Sequence, residues 1–272
     1  MLRTRDYFLI VSLLSMWACT AAPSNALNNG RVVDYTHCAL PKDQGAGSLK
    51  GKWSSLPVPV VLDRDFYVTD GGAAVNGLKG AMQTWNIWAS LKGFSAAMSL
   101  KNDGSGQDIP ELSDCSQASY SSSLPDTVGI WKISSAGWHK NRRDACGTLP
   151  DGTPGKILAN GVQGQTDWII QSGRTVGASI LLNFDDYNVP GKQHNDVESL
   201  LLHELGHMLG LLHSCNGSNT GTDITTAPAC FSGGFLAVDQ QYARAVMFPF
   251  LENDQIRRQL QQNDYNRVNC LY

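Results

Sequence analysis

The sequence predicts an α+β fold in which a mixed sheet is served by two helices. Two observations carry this expectation. Apolar residues recur at three- and four-residue steps through 73–90 and again from Asn195 to Leu209. Short β-rich runs stand at Val58–Leu62, Val128–Ile133, 156–160 and 178–184. At 272 residues the chain suits one large domain or two small ones and is long enough to bury a core. Hydrophobic residues make up 42% and aromatics 8%, a globular rather than a disordered composition. Charged residues are only 17%, against about 25% in average domains, so the surface relies on Ser, Thr, Asn, Gln and Gly. A net charge of −3 without blocks of like charge excludes the basic face of a nucleic-acid binder.

The N-terminus reads as an export signal over residues 1–26. Arg3 and Arg5 precede an apolar run at 8–18, shorter than the roughly 20 residues that span a bilayer. Ser24-Asn25-Ala26 has the small-x-small form that a signal peptidase accepts. The expectation is a secreted, extracellular protein with no transmembrane span. The alternatives are lipid anchoring through Cys19 and a buried N-terminal helix. Seven cysteines are present, and loss of Cys19 leaves an even six, as suits an oxidising compartment. Of 15 possible connectivities, the expected one pairs Cys215 with Cys230, which bracket one loop, then Cys115 with Cys146 and Cys38 with Cys270. The competing reading is free buried thiols.

Residues 27–50 are rich in Asn, Gly and Ser and read as a lead-in segment. Val58–Leu62 follows Pro57 and contains Pro59, so it is expected near a sheet edge. In the helix at 73–90, Val75, Leu78, Met82, Trp85 and Trp88 share one apolar face. Long loops fill 101–126 and 137–155, with Val128–Ile133 as a strand between them. The strand at 178–184 places Ile180, Leu182 and Phe184 on one face and Ser179 and Asn183 on the other. Asn195 with Glu198 forms a candidate capping box for the second helix, and Gly210 stands where such a helix stops.

That second helix carries the chemistry. His203 and His207 are four residues apart, which puts both imidazoles on one helical face. Gly210 lets the chain turn and swing His213 back toward them. Three nitrogen ligands hold zinc and leave a fourth position for water, the mark of a catalytic site. Zinc lowers the pKa of that water to about 7. Glu204, beside His203, is the candidate general base that passes the proton on to a leaving amine. These five positions within eleven residues arise by chance on the order of 10⁻⁵ in a chain this long.

His203-Glu204-x-x-His207-x-x-Gly210-x-x-His213 resembles the metzincin signature. Ala245-Val246-Met247-Phe248-Pro249-Phe250 is similar to the family's Met-turn, in which Met247 lies beneath the metal. Ser214 after the third His and the Met-aromatic-Pro order resemble the matrixin branch, matrix-metalloproteinase-like and of a bacterial secreted type. Lys52-Trp53 with Leu56-Pro57-Val58 looks like that domain's first strand, and 260–272 looks like its closing helix. The resemblance implies a catalytic domain over 51–272: a twisted five-stranded mixed sheet, two main helices and a third after the Met-turn. It further implies a monomeric zinc endopeptidase acting on protein or peptide substrates. Ile157, Leu158 and Ala159 would pair with substrate as an edge strand. Pro249, Phe250 and Leu251 would wall the pocket for the residue after the cleaved bond.

Departures from the family pattern set further expectations. The connection from His213 to Met247 is long and contains Cys215 and Cys230, which reads as a disulfide-pinned insertion near the primed, leaving-amine side of the cleft. Residues 137–155 offer only His139, Asp144 and Asp151 toward a second zinc. Asp185 and Asp186 are a candidate calcium site or a solvated turn. Cys38-Ala39-Leu40-Pro41-Lys42-Asp43 vaguely resembles a cysteine switch, with Cys38 as the latency thiolate. Against the endopeptidase stands a catalytically idle surface-binding module on the same fold.

Overall fold

A computed structural model describes residues 27–28, 31–32, 37–40, 50–62, 66, 73–101, 126–133, 163–183, 196–217, 227–232, 234–251 and 255–272. The chain divides into two units, Met1–Val33 and Asp34–Tyr272. In the first, β1 (Leu27–Asn28) and β2 (Arg31–Val32) pair antiparallel, with Leu27 opposite Val32.

Among the described residues, the second unit is built on a sheet of six strands: β3 (Lys52–Trp53), β4 (Val58–Leu62), β5 (Met98–Leu100), β6 (Val128–Ile133), β7 (Gly164–Gln171) and β8 (Arg174–Asn183). The order runs β5-β4-β6-β8, with every neighbouring pair parallel. β7 runs antiparallel along the far side of β8, and β3 pairs with the first residues of β8. Five strands were expected. Six are described: β5 and β7 were not read from the sequence, the expected strand at 156–160 is not among the described residues, and Lys52–Trp53 pairs with β8 while Val58–Leu62 pairs with β5 and β6.

Two further expectations are refined here. Val58–Leu62 lies near the edge of the described sheet but does not form it: the outermost described strand, β5, pairs with one side and β6 with the other, and Pro59 is accommodated between them. The strand expected to begin at 178 begins at Arg174 and is buried on both faces, with Ser179, Ile180, Leu181 and Leu182 all inaccessible. A parallel interior strand needs apolar cover on both sides, so alternation was the wrong template. The strand expected at 156–160 lies outside the described residues, as do Asp185, Asp186, and residues 137–155.

Helix α1 (Ala73–Leu91) follows β4, and its apolar stripe is buried throughout, from Val75 and Leu78 to Met82, Trp85 and Trp88. Two indole N–H groups tie this stripe to the rest of the core. Trp85 Nε1 donates to the Leu202 carbonyl at 3.0 Å and Trp88 Nε1 to Asn269 Oδ1 at 2.8 Å. Helix α2 (Val197–Met208) packs on α1. Its N-cap is Asp196 rather than Asn195: the Asp196 carboxylate accepts from Ser199 N at 3.0 Å and from Ser199 Oγ at 2.6 Å. Glu198 then sits in the first turn, where its charge suits the helix dipole.

After α2 come the short strands β9 (Phe231–Ser232) and β10 (Phe235–Leu236), helix α3 (Gln240–Ala243) and helix α4 (Gln262–Val268). Disulfides join Cys38 to Cys270 and Cys215 to Cys230. Cys38 is thereby committed to the C-terminus and is no latency thiolate. Cys115 and Cys146 lie outside the described residues. No described helix is long and apolar enough to cross a membrane.

Candidate metal centre

The C-terminal half of α2 is held by side chains from distant parts of the chain. A helix leaves its last carbonyls without partners. Here Trp168 Nε1 donates to the His207 carbonyl at 2.7 Å, Trp53 Nε1 to Met208 at 2.9 Å and the Tyr272 hydroxyl to Leu209 at 3.1 Å. Gly210 follows at φ +103°, a conformation closed to most side-chain-bearing residues, and its carbonyl accepts from Lys50 N at 2.8 Å. The turn at Gly210 sends residues 211–214 back over the helix.

This path gathers His203, His207 and His213, whose ligand atoms lie within 4.8 Å of one another. The rings are set by backbone carbonyls. His203 Nδ1 donates to Val246 O and His207 Nδ1 to Leu211 O, both at 2.7 Å. A carbonyl only accepts, so both Nδ1 atoms carry the proton and both Nε2 atoms keep a lone pair. Burial, with the neighbouring imidazoles, pushes His203 down to about 3 and His207 well below the usual histidine range. Both therefore stay unprotonated near neutrality. Three imidazoles whose ligand atoms converge, His203 and His207 neutral with fixed tautomers, fit a divalent metal ion.

Glu204 is buried beside this cluster. Its Oε2 accepts from Thr166 Oγ1 at 2.6 Å. Burial pushes its carboxyl up to about 7; the Thr166 hydrogen bond opposes the rise and the nearby Asp167 charge adds to it. β7 makes room for this carboxylate at Gly164, where a Cβ would lie 2.5 Å from Glu204 Oε1.

Met247 is fully buried against Gly206 of α2, and its carbonyl accepts from Ser214 N at 2.8 Å. Asp264 of α4 fixes this turn by accepting from Val246 N at 2.9 Å, Met247 N at 3.2 Å and Gln261 N at 2.9 Å. Arg267, one turn on and fully buried, donates to the carbonyls of Leu212 at 2.6 Å and His213 at 3.2 Å. One short helix thus holds both the 245–248 turn and the segment carrying the third histidine.

The residues expected at the site fall into three groups. His203, His207, His213 and Glu204 share one buried neighbourhood, with Gly210 and Met247 shaping it. Pro249, Phe250 and Leu251 follow Met247 and are partly exposed. Leu158 and Ala159 lie outside the described residues. Thr166, Gly164, Trp168, Asp264 and Arg267 escaped sequence reasoning. A Ser172-Gly173 pair, both at positive φ, marks the β7–β8 hairpin and is a readable turn signal. Recognising it would have placed Thr166 on a strand beside the site.

The chain matches no protein-family model and no curated protein. Among solved structures it is similar to metalloproteinase-II from Bacteroides fragilis, at 12% identity and a TM-score of 0.34, over 85% of this chain. The chain spans 58% of the length of that protein.

Proposed function

We propose that this protein is a secreted, monomeric, matrixin-like zinc endopeptidase. The observation that carries the reading is the convergence of His203, His207 and His213 beside the buried, hydrogen-bonded Glu204. His203, His207 and His213 would hold the zinc ion, which would supply Lewis acidity toward water and a scissile carbonyl. Glu204 accepts the proton of the attacking water and delivers it to the leaving amine nitrogen. Thr166 holds that carboxylate in place, and the dry surroundings keep its proton affinity close to what transfer at neutral pH requires. An extended substrate pairs along the sheet edge, with Leu158 and Ala159 as its partners. Its first residue after the cleaved bond enters a pocket walled by Pro249, Phe250 and Leu251. The fate of Cys19 and calcium binding at Asp185 and Asp186 belong to the same reading as its alternatives.

The test is hydrolysis of casein or gelatin by the zinc-loaded mature chain. Activity is expected to vanish on chelation and in Glu204→Ala, while Glu204→Ala still binds one equivalent of zinc. Stoichiometric zinc binding without cleavage of any peptide pool would instead establish the idle binding module.

A further inference from the structure

The insertion between His213 and Met247 carries more apolar surface than a connecting loop needs. β9 and β10 form a small hairpin with Phe231 opposite Leu236 and Ser232 opposite Phe235. Directly opposed residues share a face, so Phe231 and Leu236 stand together, and Phe235 stands on the other side with Ser232. Phe231 is 40% exposed and Leu236 51% exposed. Single exposed apolar residues need no explanation, but a contiguous set on a rigid support does.

The support is rigid and leads to the metal centre. Cys230, next to Phe231, is bonded to Cys215, two residues after His213, and both are fully buried. Cys230 N donates to Asn216 O and Asn216 N to Pro228 O, each at 2.8 Å, while Ala237 N donates to Cys230 O at 2.9 Å. The Phe231 ring meets Phe250 at 5.1 Å and Phe248 at 6.2 Å, in edge-on geometry. Phe248 directly follows Met247, and the Arg257 guanidinium covers its ring at 4.9 Å. An aromatic strip therefore runs from the Met247 turn, through Phe250, to the face of the hairpin that carries Phe231 and Leu236.

We infer that Phe231 and Leu236 are specificity-determining residues. They extend the Phe250 wall and bind an apolar side chain of a polypeptide substrate, on the leaving-amine side, beyond the first residue after the cleaved bond. The inference rests on the endopeptidase reading for its occupant, and continuity with the Phe250 wall supplies the reason. A face made of two apolar side chains and an aromatic edge offers no hydrogen-bond partner, so it selects Leu, Phe or Met over Ser or Asp at that position.

The experiment uses the full mature chain and nine-residue peptides that differ only in the residues after the cleaved bond. The ratio of kcat/KM for Leu over Ser at the extended positions is read for wild type, Phe231→Ser, Leu236→Ser and Phe235→Ser. Wild type is expected to prefer Leu. Leu236→Ser and Phe231→Ser are expected to lower that ratio by about tenfold through KM, and Phe235→Ser, on the opposite face, to leave it unchanged. Leu236→Ser changes an exposed residue and keeps the test open if Phe231→Ser fails to fold. Binding of the same fluorescent peptides to the zinc-loaded Glu204→Ala chain gives a readout independent of turnover. An unchanged Leu/Ser ratio in Leu236→Ser, or an equal loss in Phe235→Ser, overturns the assignment while cleavage itself stands. Absence of cleavage in wild type overturns the endopeptidase reading, and the binding ratio still decides whether the hairpin recognises apolar peptide.

Discussion

Thr166 donates its hydroxyl to Glu204 Oε2 across 2.6 Å, linking strand β7 to the carboxylate beside the histidine cluster. This bond opposes the rise that burial imposes on the Glu204 carboxyl. Removing it leaves burial unopposed, so the carboxyl holds its proton to higher pH. On the proposed reading Glu204 acts as a deprotonated base, so Thr166→Val is expected to move the acid limb of the kcat/KM profile to higher pH and to cut kcat about tenfold. Thr166→Ser, which keeps the donor, is expected to restore both. A profile unchanged in Thr166→Val would separate Thr166 from the chemistry.

Gly164 makes a complementary prediction. A methyl group there would stand 2.5 Å from Glu204 Oε1 and 2.9 Å from Cδ, too close for both to remain. The carboxylate is the more mobile partner, since the backbone of β7 is held by its pairing with Leu182. Gly164→Ala is therefore expected to lose about 10²-fold or more in kcat, as small misplacements of catalytic groups do. Metal affinity at the three histidines is expected to stay within threefold of wild type (about 0.7 kcal/mol). Measuring zinc affinity by competition alongside turnover separates a displaced base from a disrupted metal centre.

Asp264 acts on the centre through the backbone. It accepts three N–H bonds, and two come from Val246 and Met247. The Val246 carbonyl in turn fixes the His203 ring. Asp264→Ala leaves two buried donors, Val246 N and Met247 N, and the part-buried Gln261 N without this acceptor, an expected loss of about 2 kcal/mol or more in the urea-unfolding free energy of the metal-free chain. Loosening the carbonyl that orients a ligand typically costs 10–100-fold in metal affinity, and the same range is expected here. Asp264→Asn retains one acceptor oxygen and is expected to fall between wild type and Asp264→Ala in both measurements.

What the sequence revealed follows from the range of each interaction. The pair His203 and His207 is legible because one helical turn is a fixed distance, and Gly210 because a helix stop has a local chemical signature. α1 is legible from the spacing of Val75, Leu78, Met82, Trp85 and Trp88. The partners contributed by the tertiary fold are another matter. Thr166 meets Glu204 across a separation of 38 residues, and Asp264 meets Val246 across 18, with no spacing rule to connect them. Pro59 signals an edge on local grounds, yet β5 adds to that side and makes β4 interior. The N-cap lies one residue on because the Asp196 carboxylate reaches Ser199 N, and the same carboxylate also accepts from Arg258 Nε at 2.8 Å, a partner 62 residues away. Local periodicity fixed which helices exist, while side chains distant in sequence decide how their ends are held.

The C-terminal end of α2 offers the sharpest test of that last point. Trp53 Nε1 serves the Met208 carbonyl and the Tyr272 hydroxyl serves Leu209, while Tyr272 also accepts from Trp53 N at 3.2 Å. Burial raises the Tyr272 pKa, so its hydroxyl keeps its proton and remains a donor through neutral and mildly alkaline pH. Trp53→Phe and Tyr272→Phe each strand one carbonyl at the end of the helix that carries His203 and His207. Each is expected to cost about 1–3 kcal/mol in urea unfolding. The two residues touch, so the double variant is expected to cost less than the sum, with a coupling of about 0.5 kcal/mol or more. Strict additivity would mean that the two donors hold the helix end independently. A shortfall from the sum would show that strand β3 and Tyr272 clamp it as one unit.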